Sequence, residues 1–406
     1  MPLSVLFRFF CFFSTIWSFP HSSSQALPTL KGMIQEIEIG MGKSGRLCYS
    51  LDDVSIVPSR RTRDPQDVHT SWQVDAYQFD IPVIGAPMDS VMSPQTVIEM
   101  GKLGALGVLD LEGLWTRYED PSDLLNKIPQ IPDNQVTRYL QQIYSEPIKA
   151  DLITRRLHDI RDAGVIVAGA LTPPRIQEFY STVLDAGVDL FFIRGSAVSA
   201  EHVSVSHEPL NLKKFIYELD VPVIVGGAGS YHAAIHLMRT GAAGVLVGLG
   251  GTAVSSSRSI TGIHVPMATA IADVAAARKD YMEESDGRYV QVIADSGLGN
   301  SGNFVKTFAL GADAVMMGDP LARASQAPAH GSHWGHEATH EDLPRGRRTQ
   351  FSPVGDLKEI LYGPSHVADG SMNYIGALKR AMASVGYVNL REFQKCPLIA
   401  APYETH

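Results

Sequence analysis

From residue 80 onward, short and nearly continuous apolar runs recur along the chain, with longer amphipathic stretches between them. The runs cover 81–87, 105–111, 165–171, 188–195, 221–227, 243–248, 289–297 and 312–319, eight in all. Val, Ile, Leu, Met and Ala fill them with little polar alternation, the pattern of strands buried on both faces. Helical periodicity occupies 96–104, 152–164, 231–244, 268–284 and 303–312. Several of these stretches end in a glycine just before the next run: Ala163-Gly164, Ala186-Gly187, Thr240-Gly241 and Leu310-Gly311. Such endings read as helix C-caps feeding parallel strands. Eight strands with intervening helices predict a closed (β/α)8 TIM barrel rather than an open doubly wound sheet. Residues 112–150 read as partly helical. Residues 322–370 carry much Gly, His, Pro and charge and read as a long lid loop after strand eight. The tail 373–395 reads as helix, turn and short helix.

A chain of 406 residues accommodates one such barrel. The net charge of −9 argues against nonspecific nucleic-acid binding, which needs a basic face. It leaves a small nucleotide ligand open. The three cysteines, Cys11, Cys48 and Cys396, form neither a CxxC pair nor a disulfide framework, so a reducing compartment fits. The apolar run from Leu3 to Phe19, interrupted by Arg8, has three readings: secretory signal, membrane anchor, or an upstream start. It is shorter than the roughly 20 residues of a membrane span. Met33 opens a stretch that reads as the start of a cytosolic protein. The expectation is a cytoplasmic barrel domain over 33–406, preceded by an apolar extension over 1–32 and with no membrane partner.

Barrel chemistry sits at the C-terminal ends of the strands. Here those ends read Ala86-Pro87-Met88-Asp89, Gly248-Leu249-Gly250-Gly251, Asp295-Ser296-Gly297 and Gly318-Asp319. Glycines there let backbone N–H groups approach an anion closely. A single such glycine would mark only a tight turn; four coherent strand ends favour a site. GxGxxG is absent. His330, His333, His336 and His340 fit no standard metal spacing and read as a solvated loop, so no metal site is expected. Arg60, Arg61 and Arg63 read as a solvated charge run, and Cys48 and Cys396 as inert, partly buried thiols.

The segments 51–63 (LDDVSIVPSRRTR) and 81–91 (IPVIGAPMDSV) resemble the opening of IMP dehydrogenases and GMP reductases. The loop 248–251 (GLGG), 265–278 (VPMATAIADVAAAR) and 292–322 resemble that family too, so the likeness spans nearly all of 34–400. It is greatest to the short members that lack inserted CBS domains. The resemblance implies an oxidoreductase of purine and GMP biosynthesis, converting IMP, NAD and water to XMP and NADH. A GMP reductase using NADPH is the alternative on the same scaffold, and a nucleotide-binding barrel without turnover is another. It also implies a homo-oligomer, usually a tetramer, and a monovalent cation such as potassium near the loop begun by Gly248 and Gly250. By resemblance Asp295 grips the ribose hydroxyls, Met88 and Gly297 line the nucleotide, and Gly318 belongs to a phosphate loop.

The chain departs from that pattern at four places. The family's nucleophilic cysteine lies seven residues after the first loop glycine and eleven before the proline of the next helix. Counting from Gly248 and back from Pro266 both reach Ser255. A thiolate is available near neutral pH, whereas a serine needs an adjacent base. Asp319 stands where the family has a phosphate-binding serine, and Arg194 where dehydrogenases place an aspartate facing the dinucleotide. The lid offers Arg345, Arg347 and Arg348 but no adjacent Arg-Tyr pair for activating water.

Overall fold

The apolar runs form one parallel ladder. In the computed structural model, which describes residues 36–58, 60–205, 209–339 and 346–401, the barrel strands follow the expected order. They are β1 (Val83–Gly85), β2 in two pieces (Leu106–Gly107 and Leu109–Asp110), β3 (Ala168–Leu171) and β4 (Leu190–Arg194). Then come β5 (Val223–Ala228), β6 (Gly244–Val247), β7 (Gln291–Ala294) and β8 (Ala314–Met317). Each strand pairs in parallel with the next, and β8 returns to β1 through Val315 opposite Val83. The first piece of β2 pairs with β1 and the second with β3, so the ladder runs round the ring. This is the expected (β/α)8 barrel. β6, β7 and β8 are buried along their whole length, which is why their sequences do not alternate.

Local signals set the helices. Ser93 caps Pro94–Lys102 in a capping box with Thr96, and Ser230 and Asn300 cap Tyr231–Met238 and Ser301–Ala309. Gly164, Gly187, Gly241 and Gly311 take φ of 74°, 78°, 99° and 115°, the left-handed turn that lets a helix stop and a strand begin. At the strand N-terminal end Asp313 binds Arg278, Tyr289, Gln394 and the N–H of Val292. That network belongs to stability, at the end of the barrel opposite the chemistry.

The chain divides into two units, Met1–Leu47 and Cys48–His406. In the first, Glu36–Gly40 and Lys43–Arg46 form an antiparallel hairpin. The apolar extension lies outside the described residues. No described helix is long and apolar enough to cross a membrane.

The lid needs correction. The expected loop over 322–370 contains a small sheet (Ser332–Trp334 with Arg348–Gln350), a 3-10 turn (His336–Thr339) and the helix Leu357–Tyr362. The residues after β2 explain its order. Helices Ser122–Lys127 and Asp133–Tyr144 build a separate apolar cluster from Leu114, Leu125, Ile128, Val136, Leu140 and Ile143. Ala329, Trp334 and Ala338 of the lid complete it. Arg348 is tied to Asp133 and to the carbonyl of Ile128, so this lid arginine serves the packing.

Candidate active site

One cavity opens at the C-terminal ends of the strands. Met88 after β1, Gly248 and Gly250 after β6, Asp295 and Gly297 after β7, and Gly318 after β8 all line it. So does Ser255, which puts the whole set singled out in the sequence around one space. Gly297 sits at φ 73°, the left-handed conformation that favours glycine, directly after Asp295 and Ser296. A Cβ at Gly251 would lie 2.4 Å from Ser296 Oγ, so a larger residue there would force that hydroxyl to move.

Ser255 closes a tight turn. Its N–H bonds Thr252 Oγ1 at 3.0 Å, and its hydroxyl accepts the N–H of Ser257 at 3.3 Å. No imidazole or carboxylate hydrogen-bonds it among the described residues. The nearby base serves other serines: Glu337 Oε1 accepts from Ser257 Oγ at 2.6 Å and from Ser196 Oγ at 2.8 Å. Cys48 and Cys396, the cysteines within the described residues, form no disulfide, and neither lines the cavity. Burial pushes the Cys396 thiol above its ordinary value.

Glu337 joins the loops after β4 and β6 to the lid. Glu337→Ala removes the acceptor shared by two hydroxyls, a loss on the order of 1–2 kcal/mol for a partly exposed group. Amide exchange across 332–339 is expected to accelerate roughly tenfold or more, by the same free energy. Unchanged exchange there would mean that the apolar cluster alone holds the lid.

The ionisable groups cluster by sign. Five carboxylates line the cavity: Asp110, Glu112, Asp295, Asp319 and Glu337. Among the described lining residues Arg194 is the one Lys or Arg, and its Nε lies 3.3 Å from Asp295 Oδ2. Burial raises the Asp295 carboxyl above its ordinary range, Arg194 pulls it back, and Asp319 pushes it up again. Asp110 is driven well above the usual carboxylate range by burial and by the charges of Asp89 and Glu112.

Sequence reading did not find Asp110, Glu112 or Glu337. The one available signal was Asp110 itself, a carboxylate inside the apolar run 105–111. His333 corrects the reading of the lid histidines as solvated. It is 1% exposed, bonds Ser90 Oγ through Nδ1 at 2.7 Å, and holds Nε2 3.1 Å from Asp319 Oδ1. His330 is exposed, while His340 lies outside the described residues. Arg60 and Arg61 are exposed, whereas Arg63 donates to the carbonyl of Gly386 at 2.7 Å. No group of three or more His, Cys, Asp or Glu side chains that could hold a metal occurs among the described residues.

Asp89 anchors the wall behind the cavity. Its Oδ2 accepts Leu114 N–H at 2.8 Å and Tyr144 Oη–H at 2.5 Å, and Trp334 of the lid donates to Tyr144 at 3.1 Å. Burial pushes the Asp89 carboxyl up to about 6, against the pull of those bonds. A carboxyl raised in this way favours the fold when protonated. That stabilisation is complete below the ordinary value of 3.8 and is lost as pH rises through about 6. Asp89→Asn keeps an acceptor and does not titrate. Between about pH 4.5 and about pH 7.5 the stability difference should move toward the variant by on the order of 2 kcal/mol. Urea denaturation across that range measures it, and a pH-independent difference contradicts the assignment.

Residues 48–340 match the model of the IMP dehydrogenase / GMP reductase domain. The chain belongs to that family of oxidoreductases. It is 48% identical over 371 residues to an uncharacterized oxidoreductase of Mycolicibacterium smegmatis, covering 89% of this chain and 99% of the relative. An uncharacterized oxidoreductase of Mycobacterium tuberculosis is 47% identical with the same coverage. The inosine-5'-monophosphate dehydrogenase of Methanocaldococcus jannaschii is 23% identical, covering 86% of this chain and 91% of the relative. The crystal structure of an IMP dehydrogenase/GMP reductase-like protein from Corynebacterium glutamicum superposes with a TM-score of 0.87 at 46% identity. That match covers 91% of this chain and 99% of the other. Both the family and the barrel agree with the expectations drawn from the strand-end motifs.

Proposed function

We propose that this family member binds a purine ligand in the strand-end cavity and does not carry it through the covalent reaction that the resemblance implies. The observation that carries this reading is Ser255 in its turn, with no base on its hydroxyl and with Glu337 engaged by Ser257 and Ser196. Both IMP oxidation to XMP and GMP reduction begin with attack of a thiolate on purine carbon two. An unactivated serine hydroxyl is far too weakly ionised to replace it. The binding role rests on the convergence of Met88, Asp295 and Gly297 on one cavity. Asp295 offers a carboxylate with acceptor capacity beyond its contact to Arg194, enough for ribose hydroxyls.

The cofactor implied by the family is a nicotinamide dinucleotide, NAD or NADP. Its pyrophosphate needs cations or free N–H donors. Arg194 faces Asp295, and five carboxylates share the same walls. The donors that would hold the pyrophosphate are the backbone N–H groups of the strand-end glycines, Gly250 and Gly297 among them. A potassium ion near the glycine loop would need free carbonyls. The carbonyl of Leu249 is taken by Val265 N–H and approached by His264 Nδ1 at 2.9 Å. On family resemblance the protein is cytoplasmic and homo-oligomeric.

The deciding assay follows absorbance at the reduced-nicotinamide band with IMP plus NAD and with GMP plus NADPH. The proposal expects no change above the protein-free rate in either direction, together with measurable calorimetric binding of inosine. Turnover at family-like rates would overturn the non-covalent reading, and absence of binding by both inosine and IMP would overturn the purine reading.

A further inference from the structure

The position after β8 decides what charge a ligand can carry. Asp319 Oδ2 accepts the backbone N–H of Ala253, on the glycine-rich loop after β6, at 3.1 Å. Its Oδ1 lies 3.1 Å from Nε2 of the buried His333, and Ser90 fixes that ring from the other side. A loop N–H and an imidazole beside it are groups that receive an anion. Here both already face a carboxylate of the protein itself. Gly318, one residue earlier, lines the same cavity beside His333 and Met88.

The rest of the cavity has the same bias. Its one described guanidinium is paired with Asp295, so the described lining holds no second Lys or Arg to receive an anion. A phosphate dianion at the end of β8 would lie against the Asp319 charge in a partly desolvated space, where like charges repel strongly. A neutral polar ligand meets no such penalty. Ser296 points to one: it is 4% exposed, lines the cavity, and its hydroxyl has no hydrogen-bond partner among the described residues. A buried hydroxyl left without a partner is costly, and a ligand hydroxyl or ring nitrogen would relieve it.

We infer that Asp319 determines specificity by occupying the anion position of the cavity, so that the site admits an unphosphorylated purine nucleoside and excludes its 5′-monophosphate. This deepens the purine-binding reading and rests on it. It is a statement about binding and involves no bond formation.

The test uses the full chain with three probes: inosine, IMP and inorganic phosphate. Calorimetry on wild type is expected to give at least tenfold tighter binding of inosine than of IMP, and phosphate should not raise the melting temperature. In Asp319→Ser and in the isosteric Asp319→Asn the inosine-to-IMP preference should fall at least tenfold, and phosphate should stabilise the Ser variant. A wild type that prefers IMP, or that phosphate stabilises, overturns the inference. So do folded variants that gain neither IMP affinity nor a phosphate response. The wild-type comparison stands even if a variant fails to fold. If neither inosine nor IMP binds, the purine reading falls instead, while inorganic phosphate still decides the role of Asp319.

Discussion

Asp295→Ala is expected to weaken inosine binding about a hundredfold, a loss on the order of 3 kcal/mol. The carboxylate lies at the end of β7, inside the cavity and largely buried, and its position is braced by Arg194. A ligand bound through two ribose hydroxyls would lose two charge-assisted acceptors at once. Part of the loss could instead come from leaving Arg194 without its partner. The double variant Arg194→Ala/Asp295→Ala separates the two causes. If the unpaired guanidinium is responsible, the double variant recovers affinity; if the ribose acceptors are responsible, it does not. Calorimetry on the three proteins decides this, and unchanged affinity in Asp295→Ala would place the ribose elsewhere. Because burial raises the Asp295 carboxyl, affinity should also decline earlier on acidification than an ordinary aspartate would give.

Ser255→Cys is expected to restore little turnover, and Ser255→Cys/Asp319→Ser clearly more. The thiol would sit in the same turn, beside Thr252 and Ser257, on a loop that faces the cavity. Its ligand would still meet Asp319 at the end of β8, hydrogen-bonded to Ala253 and against His333. A nucleotide displaced from that position by about 1 Å would lose on the order of a hundredfold in rate. The lid adds a second obstacle, since Arg348 is engaged by Asp133 and Ile128 rather than facing the cavity chemistry. XMP formation by the single and double variants, measured with IMP and NAD, checks the order. Full activity in Ser255→Cys alone would remove Asp319 and the lid from the explanation and leave the assignment of position 255 intact.

The parts of this molecule that were legible beforehand share a physical cause. The eight strands are buried on both faces, so burial wrote itself into uninterrupted runs such as Val292-Ile293-Ala294. The helix ends were legible because a left-handed residue favours glycine, as at Gly187 and Gly241. Position 255 is proposed from its spacing to Gly248 and Pro266, and the structure adds only that Ser255 lines the cavity. What stayed hidden depends on contacts between distant segments. Arg194 and Asp295 are 101 residues apart, and Ser90 and His333 are 243 apart. The lid gave no period because its strands are three residues long and its order comes from Trp334 and Ala338 packing into the cluster after β2. Asp319 was recognised as a charge opposed to phosphate, but its two partners, Ala253 and His333, could not be read from the chain.

The central claim is that Ser255 forms no bond to a purine. Intact-mass measurement of the wild-type protein after incubation with IMP and NAD, with XMP quantified in the same samples, tests it most directly. The account predicts an unshifted protein mass and no XMP above the protein-free control. A mass increase corresponding to a purine nucleotide adduct, or XMP produced at family-like rates, would contradict it and require another residue to supply the nucleophile.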